Sequence, residues 1–133
     1  MASYDRIIEP DMFSASIEEL FGQIGTAAGE SIADAARVGS KDGAKAWRSN
    51  IPEAGIGGKG DYRKSIRSTV KGRGEDAQGI CYSTMPGLPH LLEKGHAKMG
   101  GGRTRAFPHV APAAETAFDS AMKALEDSMG GLL

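Results

Sequence analysis

The sequence predicts an α+β fold, in which a long N-terminal helix and a C-terminal helix pack on a small antiparallel sheet with long glycine-rich loops. Amphipathic segments lie near both ends of the chain, and two short segments rich in β-formers lie between them. Nineteen glycines among 133 residues, with an aromatic fraction of only 6 %, indicate a modest core and long loops. A chain of this length is typical of one domain. We expect an N-terminal tail over residues 1–10 and a single domain over residues 11–133.

The first predicted element is a helix over residues 11–38. Apolar side chains recur at spacings of three and four from Phe13 to Ala36, which makes one apolar stripe along a helix. Pro10 and Asp11 are suitable residues for its start. Gly39 is a predicted stop, because glycine commonly follows the last helical residue, although "KDGAKAWRSN" (41–50) is compatible with a further helical turn or two.

Two antiparallel strands are predicted next, in "DYRKSIRSTVKG" (61–72) and "QGICYSTM" (78–85), joined by a turn in "GRGEDAQ". "LPHLLEKG" (88–95) predicts a short helix that Gly95 closes as its C-terminal cap. "FPHVAP" (107–112) predicts an extended segment, and "AAETAFDSAMKALEDSM" (113–129) predicts the C-terminal helix. A sheet this small leaves open edges, which favour pairing between subunits.

The charge is nearly balanced overall but unevenly distributed. Residues 1–34 carry seven acidic and one basic side chain, whereas residues 37–74 carry ten basic and three acidic ones. This asymmetry suits head-to-tail contact between copies of the chain, and equally contact with DNA or another subunit. The single cysteine, Cys81, fits a reducing compartment. Since no segment is typical of a membrane span or a secretory leader, we expect a protein that is assembled in the cytoplasm and has no membrane partner.

The three histidines His90, His96 and His109, with Glu93 among them, raise the question of a metal site. A catalytic zinc site uses three such ligands and a water. His90 and Glu93 are three residues apart, but His96 lies beyond the predicted helix stop, and no H-E-x-x-H pattern is present. The spacing therefore favours ordinary polar or loop-anchoring histidines, and no metal is predicted.

The glycine-rich segments do not match a nucleotide site either. Gly55, Gly57 and Gly60 satisfy G-x-G-x-x-G literally, but the pattern lacks the buried strand before it and the helix after it. The mobile basic loop "KMGGGRTR" (98–105) can hold an anion, yet no Walker-type G-K-[ST] accompanies it. Cys81 lies in a predicted strand with no signal of an activated thiol. We therefore predict no catalytic residue, no cofactor and no enzymatic activity.

Three segments together carry a resemblance to a known family. "GDYRKSI" (60–66), "HLLEKGHA" (90–97) and "AFPHVAPAAE" (106–115) occur in the order and at the separations seen in the neck proteins of tailed bacteriophages, also described as head–tail joining or tail-completion proteins and tail components. The resemblance spans roughly residues 12–130. The chain departs from the family in "FPHVAP", where an arginine and a second aromatic residue are common.

The resemblance implies a small α+β virion subunit without enzymatic activity. Such subunits form a ring between the head-completion proteins on the portal side and the tail terminator, and DNA passes through it. The implied structural residues fall into three groups. They are Gly60, Asp61 and Tyr62 at the start of the first strand; Leu91, Leu92 and Glu93 in a docking helix that Gly95 caps; and Pro108 and Pro112 in an extended strap before the last helix.

The implied contacts with a neighbouring subunit or with DNA involve seven charged side chains: Arg63, Lys64, Arg67, Glu93, Lys98, Arg103 and Arg105. The expected location is the virion neck, with assembly in the host cytoplasm. An alternative is a small nucleic-acid-binding module that uses the basic stretches 59–73 and 98–105, with affinity that falls as salt rises. A metal-dependent hydrolase is a third hypothesis, and it requires bound metal.

Overall fold

The computed structural model describes residues 6–9, 12–16, 29–52 and 60–130, and it confirms the predicted α+β fold. The described strands are β1 (Arg6–Glu9), β2 (Met12–Ser16), β3 (Ile66–Lys71) and β4 (Gln78–Ser83). The described helices are α1 (Gly29–Asn50), α2 (Asp61–Lys64), α3 (Leu88–Lys94) and α4 (Val110–Met129), with one 3₁₀ turn at Gly74–Asp76.

The strands form one antiparallel sheet in the order β1-β2-β4-β3. The predicted pairing of β3 with β4 is confirmed, with Ile66 opposite Ser83 and Lys71 opposite Gln78. The other half of the sheet was not predicted. Residues 12–16, which the sequence assigned to the start of the first helix, form β2, and the predicted tail includes β1. Residues 17–28 of that predicted helix lie outside the described residues.

The long helix α1 contains the second half of the predicted helix but does not stop at Gly39. It continues to Asn50, so the predicted stop at Gly39 is wrong and the further helical turns over 41–50 belong to the same helix. Gly39 lies against α4, where an added Cβ would stand 2.7 Å from Cβ of Ala121 and 2.8 Å from the carbonyl oxygen of Ala117. This glycine therefore serves close helix packing rather than helix termination.

The helix α1 packs along α4 and also on β3 and β4. Gly79 of β4 lies beneath α1, since an added Cβ would be 2.5 Å from the carbonyl oxygen of Ala36. Small side chains therefore line the helix contacts on two faces. The buried residues form two apolar clusters. One comprises Ala44, Trp47, Ile51, Tyr62, Ile66, Cys81, Val110, Ala113, Ala114, Ala117 and Phe118; the other comprises Ile32, Ala35, Ala36, Ala77, Ala121, Leu125 and Met129.

The connecting segments differ from the prediction in two places. Tyr62, predicted at the beginning of a strand, is buried in the short helix α2, and the strand begins only at Ile66. The segment predicted as extended over 107–112 is instead irregular up to His109 and then becomes the first turn of α4. The short helix α3 ends at Gly95, as predicted.

Candidate functional site

The three segments that carry the family resemblance meet in a buried polar cluster, which we define as Trp47, Tyr62, Glu93 and His109. Trp47 comes from α1, Tyr62 from α2, Glu93 from α3, and His109 precedes α4. Trp47, Tyr62 and His109 are each at most 1 % exposed. Four separate segments of the chain are thereby joined at one point inside the fold.

The hydrogen bonds of this polar cluster form a series in which each side chain donates to the next, from Trp47 through Tyr62 and His109 to Glu93. The indole nitrogen of Trp47 donates to the hydroxyl of Tyr62 at 3.1 Å, and the Tyr62 hydroxyl lies 2.7 Å from Nε2 of His109. Nδ1 of His109 lies 2.6 Å from the carbonyl oxygen of Phe107 and 3.0 Å from Oε1 of Glu93. Since both of those oxygens are acceptors, Nδ1 carries the proton. In neutral His109, Nε2 then accepts from Tyr62.

Glu93 caps the C-terminal helix from a distance in the sequence. Its Oε1 accepts from the backbone N–H groups of His109 at 2.7 Å and Val110 at 2.9 Å, and Oε2 accepts from Ala111 at 3.1 Å. The first N–H groups of a helix have no intrahelical partner, and a carboxylate also interacts favourably with the helix dipole. His109, at the N-cap position, provides no side-chain cap of its own. Glu93 supplies the missing acceptors.

The pKa of Glu93 reflects this environment. Burial of the carboxyl group acts to raise its pKa, but the hydrogen bonds from the His109 side chain and from the three backbone N–H groups together outweigh burial. The pKa of Glu93 is lowered to about 2. Glu93 is therefore ionised throughout the physiological range and acts as a fixed acceptor.

The members of the polar cluster are enclosed by the fold and bonded to one another. General acid–base or nucleophilic catalysis needs a group that can reach a substrate, whereas His109 and Tyr62 are enclosed and bonded to each other. Asn50 adds a further bond, from its side-chain nitrogen to the carbonyl oxygen of His109 at 3.2 Å. A buried network with such connections fixes the relative positions of the segments that contribute to it.

Of the seven side chains predicted to contact a neighbour, Glu93 and Arg63 are partly buried and bonded within the fold, while the exposed Arg67 and Arg103 also donate to backbone oxygens, Arg103 to that of Gly95 at 3.3 Å. Glu93 caps α4, as described above. Arg63 donates to the carbonyl oxygen of Ile51 at 2.7 Å and to that of Arg48 at 3.3 Å, so it anchors the C-terminal end of α1 to α2. Helix ends leave carbonyl groups without partners, which explains why a guanidinium is held there.

The other five predicted contact residues are exposed and lie in two places. Lys64 and Arg67 lie at the end of α2 and the start of β3, and the side chain of Arg67 donates to the backbone oxygen of Lys64. The strand β3 is at an edge of the sheet. Lys98, Arg103 and Arg105 lie in or beside the loop between α3 and α4.

The loop predicted to be mobile forms a short hairpin, the basic hairpin, which we define as residues 96–105. Ala97 and Arg103 form an antiparallel bridge, Lys98 N–H donates to the Gly102 oxygen at 2.9 Å, and Thr104 N–H donates to the His96 oxygen at 2.8 Å. Three successive glycines at the turn have φ of 94°, 108° and 79°, values that disfavour other residues. Met99 stands at the tip, fully exposed.

The remaining motif residues hold the strap, residues 106–109, against α3. Gly95 has φ 71°, and an added Cβ would lie 2.5 Å from the carbonyl oxygen of Thr104. Phe107 N–H donates to the Leu92 oxygen at 2.8 Å. Of the other predicted structural residues, Leu92 packs on the core, Gly60 precedes α2 with φ 91°, and Asp61, Leu91, Pro108 and Pro112 are exposed.

The structure does not bring the three histidines together. His90 and His96 are exposed, and His109 is buried with its partners already assigned. Within residues 29–52 and 60–130, no group of three or more His, Cys, Asp and Glu side chains is arranged to hold a metal ion. Cys81 lies buried in β4, and its burial raises the pKa of the thiol to about 12.

Trp47 is the site residue that the sequence analysis missed. It continues the apolar face of α1 beyond Ala44, at helical spacing, and its N–H group needs an acceptor when buried.

In the described part of the chain, no helix is long and apolar enough to cross a bilayer.

Comparison of the chain with protein-family models, with curated proteins and with solved structures found no match.

Proposed function

We propose that this protein is a structural subunit of the neck of a tailed bacteriophage, without enzymatic activity. It assembles into a ring that joins the head-completion side to the tail-terminator side and lets DNA pass. Its partners are further copies of itself and the adjoining neck proteins. It is assembled in the host cytoplasm and resides in the virion.

The observation that supports this proposal is the convergence of the three family-like segments on one polar cluster. Tyr62, Glu93 and His109 come from the three segments in turn, and their side chains bond to one another or to the same helix end. Three of the residues that carry the resemblance therefore have an architectural role inside the fold. This is what a structural subunit requires.

The decisive experiment is a complementation test in the virion. A phage that lacks the gene for this chain is supplied with the wild-type protein or with Glu93→Ala, and particles are examined by electron microscopy and mass spectrometry. We expect the wild-type chain in tailed particles at the neck, and free heads and free tails when it is missing. A chain that joins no particle contradicts the proposal.

A nucleic-acid-binding module is the second candidate, because the exposed cations of β3 form a row. Arg67 and Lys71 are exposed on the same strand, and Lys64 and Arg73 flank it. This candidate predicts duplex binding whose affinity falls steeply between low and moderate salt. Gel shifts with Arg67→Glu and Lys71→Glu, and with Lys45→Glu on α1 as a charge-matched control, test it. Equal mobility shifts for all these proteins would exclude β3 as the binding surface.

A further inference from the structure

A further inference rests on the proposed function and concerns the basic hairpin. We propose that the basic hairpin of one copy seats Met99 on the acidic face of α4 in a second copy, and that this contact repeats around the ring. The acidic face is defined as Asp119, Met122 and Glu126, and Glu115 continues it toward the start of the helix.

The tip of the basic hairpin has the properties of an anchor. Met99 is fully exposed, whereas the other exposed large apolar side chains of the described residues, Val38 and Leu91, are 36 % and 42 % exposed. Transfer of such a side chain out of water is favourable, and the flexible thioether adapts to irregular apolar surfaces. An added Cβ at Gly100, Gly101 or Gly102 would meet no other atom, so these glycines do not serve packing within the monomer. They permit the turn that presents Met99.

The sides of the basic hairpin carry charge of one sign. No acidic residue occurs between Glu93 and Glu115, while Lys94, Lys98, Arg103 and Arg105 all lie in that interval. All four are exposed, and the Arg105 guanidinium lies 5.4 Å from the ring centre of Phe107. An anionic partner surface would complement this set, and such complementarity selects partners and orientation.

The acidic face of α4 supplies that complement. Asp119, Met122 and Glu126 follow one another at spacings of three and four, so they lie along one side of the helix. Asp119 and Glu126 are exposed and Met122 is half-buried, which places a partly open apolar patch between two carboxylates. Lys123, which neighbours this line at helical spacing, is paired with Asp127 at 3.3 Å. The patch matches an apolar tip flanked by cations.

The chemistry favours a protein partner over DNA for the basic hairpin. A loop that contacts a nucleic acid presents cations to phosphates, or aromatic rings to bases, at the point of closest approach. Here the point of closest approach is a methionine between Lys98 and Gly100. The hairpin and the acidic face are unlike surfaces of one chain. Their contact is therefore heterologous, and it closes into a ring when the rotation permits.

The test exchanges the charges on the two surfaces. We expect Lys98→Glu with Arg103→Glu to weaken self-association at least about tenfold, and Asp119→Lys with Glu126→Lys to do the same, because each change opposes like charges. The two changes combined in one chain restore opposite signs and should restore association. Lys41→Glu with Lys45→Glu, exposed on α1, is the charge-matched control. Association is measured by analytical ultracentrifugation, with circular dichroism to verify folding.

The tip is tested separately. Met99→Ser should weaken association by about tenfold, which corresponds to 1.4 kcal/mol, while Met99→Leu should retain it. A Met99→Cys, Asp119→Cys variant should form disulfides between subunits on mild oxidation. The native Cys81 is buried, so we expect it to take no part in these disulfides.

The outcomes separate this inference from the proposed function. Unchanged association after both charge reversals, or a wild-type chain that stays monomeric when concentrated, overturns the inference and leaves virion incorporation to decide the function. DNA binding that is lost on hairpin reversal, without rescue by α4 reversal, also overturns it. Rescue of association in a chain that joins no virion supports the inference and contradicts the proposed function.

Discussion

The hydroxyl of Tyr62 lies 2.7 Å from Nε2 of His109, and this contact joins α2 to the start of α4 across 47 residues of sequence. Both side chains are buried, and the same hydroxyl receives the indole N–H of Trp47. One oxygen atom thus connects α1, α2 and the start of α4, which are separate segments of the chain.

Tyr62→Phe removes that oxygen and is expected to lower the free energy of unfolding by about 1–3 kcal/mol, because Trp47 and His109 then lose a buried partner. Urea unfolding followed by circular dichroism measures the change. Tyr82→Phe, at a half-buried position of β4, is the matched control and should cost less. Equal losses for the two variants would contradict a special role for the Tyr62 hydroxyl.

Glu93→Gln should lower the free energy of unfolding at neutral pH by about 1–2 kcal/mol, because a carboxylate that caps a helix is replaced by a neutral group. The variant also predicts a pH effect. The pKa of Glu93 in the folded protein is lowered to about 2 from its ordinary value of 4.5, so its stabilisation is complete above pH 4.5 and is lost as pH falls toward 2.

The expected result is a smaller acid-induced loss of stability in Glu93→Gln than in the wild type between those two pH values. Denaturant unfolding at a series of pH values measures it. Glu126→Gln, on the exposed side of α4, is the control and should follow the wild-type curve. Parallel curves for Glu93→Gln and the wild type would show that the Glu93 carboxylate does not stabilise the fold.

Gly39→Ala is expected to destabilise the protein by about 1–3 kcal/mol, although alanine is the better helix former, because the new methyl group would overlap α4. The obstacle is Cβ of Ala121 at 2.7 Å. Addition of Ala121→Gly should recover part of the loss, since the Ala117 carbonyl at 2.8 Å remains. Thermal unfolding measures both variants. Gly29→Ala in the same helix, with 3.4 Å to its nearest neighbour, should be harmless.

Gly95→Ala and Gly100→Ala separate conformational strain from steric conflict. Both glycines have positive φ, but only at Gly95 does an added Cβ meet another atom, the Thr104 oxygen at 2.5 Å. We expect Gly95→Ala to cost about 1–3 kcal/mol more than Gly100→Ala, since the backbone of the basic hairpin at Thr104 must shift to admit the new methyl group. Denaturant unfolding of the two variants tests this difference, and equal costs would contradict it.

The Cys81 thiol should react slowly with thiol reagents in the folded protein. Burial raises its pKa to about 12, against weaker opposite effects from the backbone at Ala44 and the charge of Arg48. The reaction is followed by absorbance at pH 8 with and without denaturant. Ser49→Cys adds an exposed thiol on α1 and should give one fast and one slow phase. Two fast phases would show that β4 opens readily.

Local signals account for the parts of the fold that the sequence predicts well. The pairing of β3 with β4 follows from alternating β-formers on either side of a turn, and α4 follows from apolar spacing within one segment. The β1–β2 pair could not be predicted in this way, because β2 is held by β4, more than sixty positions later in the chain. The helix stop predicted at Gly39 is wrong for the same reason, because the residues that require a glycine there, Ala117 and Ala121, belong to α4.

Two of the four members of the polar cluster, Tyr62 and Glu93, were predicted from the sequence, but their roles in the fold were not. Tyr62, Glu93 and His109 stand out in the sequence, but only the fold shows that Glu93 reaches the N–H groups of a helix that begins at Val110. In the sequence, Glu93 and Arg63 look like ordinary surface charges. Glu93 accepts from backbone N–H groups and Arg63 donates to backbone carbonyl oxygens, and a sequence pattern does not reveal such partners because every residue carries backbone groups.

The placement of Trp47 makes the protein its own optical probe. It is the single tryptophan of the chain, it is fully buried, and its indole N–H ends the bonded series that leads to the strap. The emission of a buried indole moves to longer wavelength when water reaches it. An event that loosens the strap, whether a substitution, an acid pulse or the docking of a neighbour, can therefore be followed through the emission wavelength of this one tryptophan, without any added label.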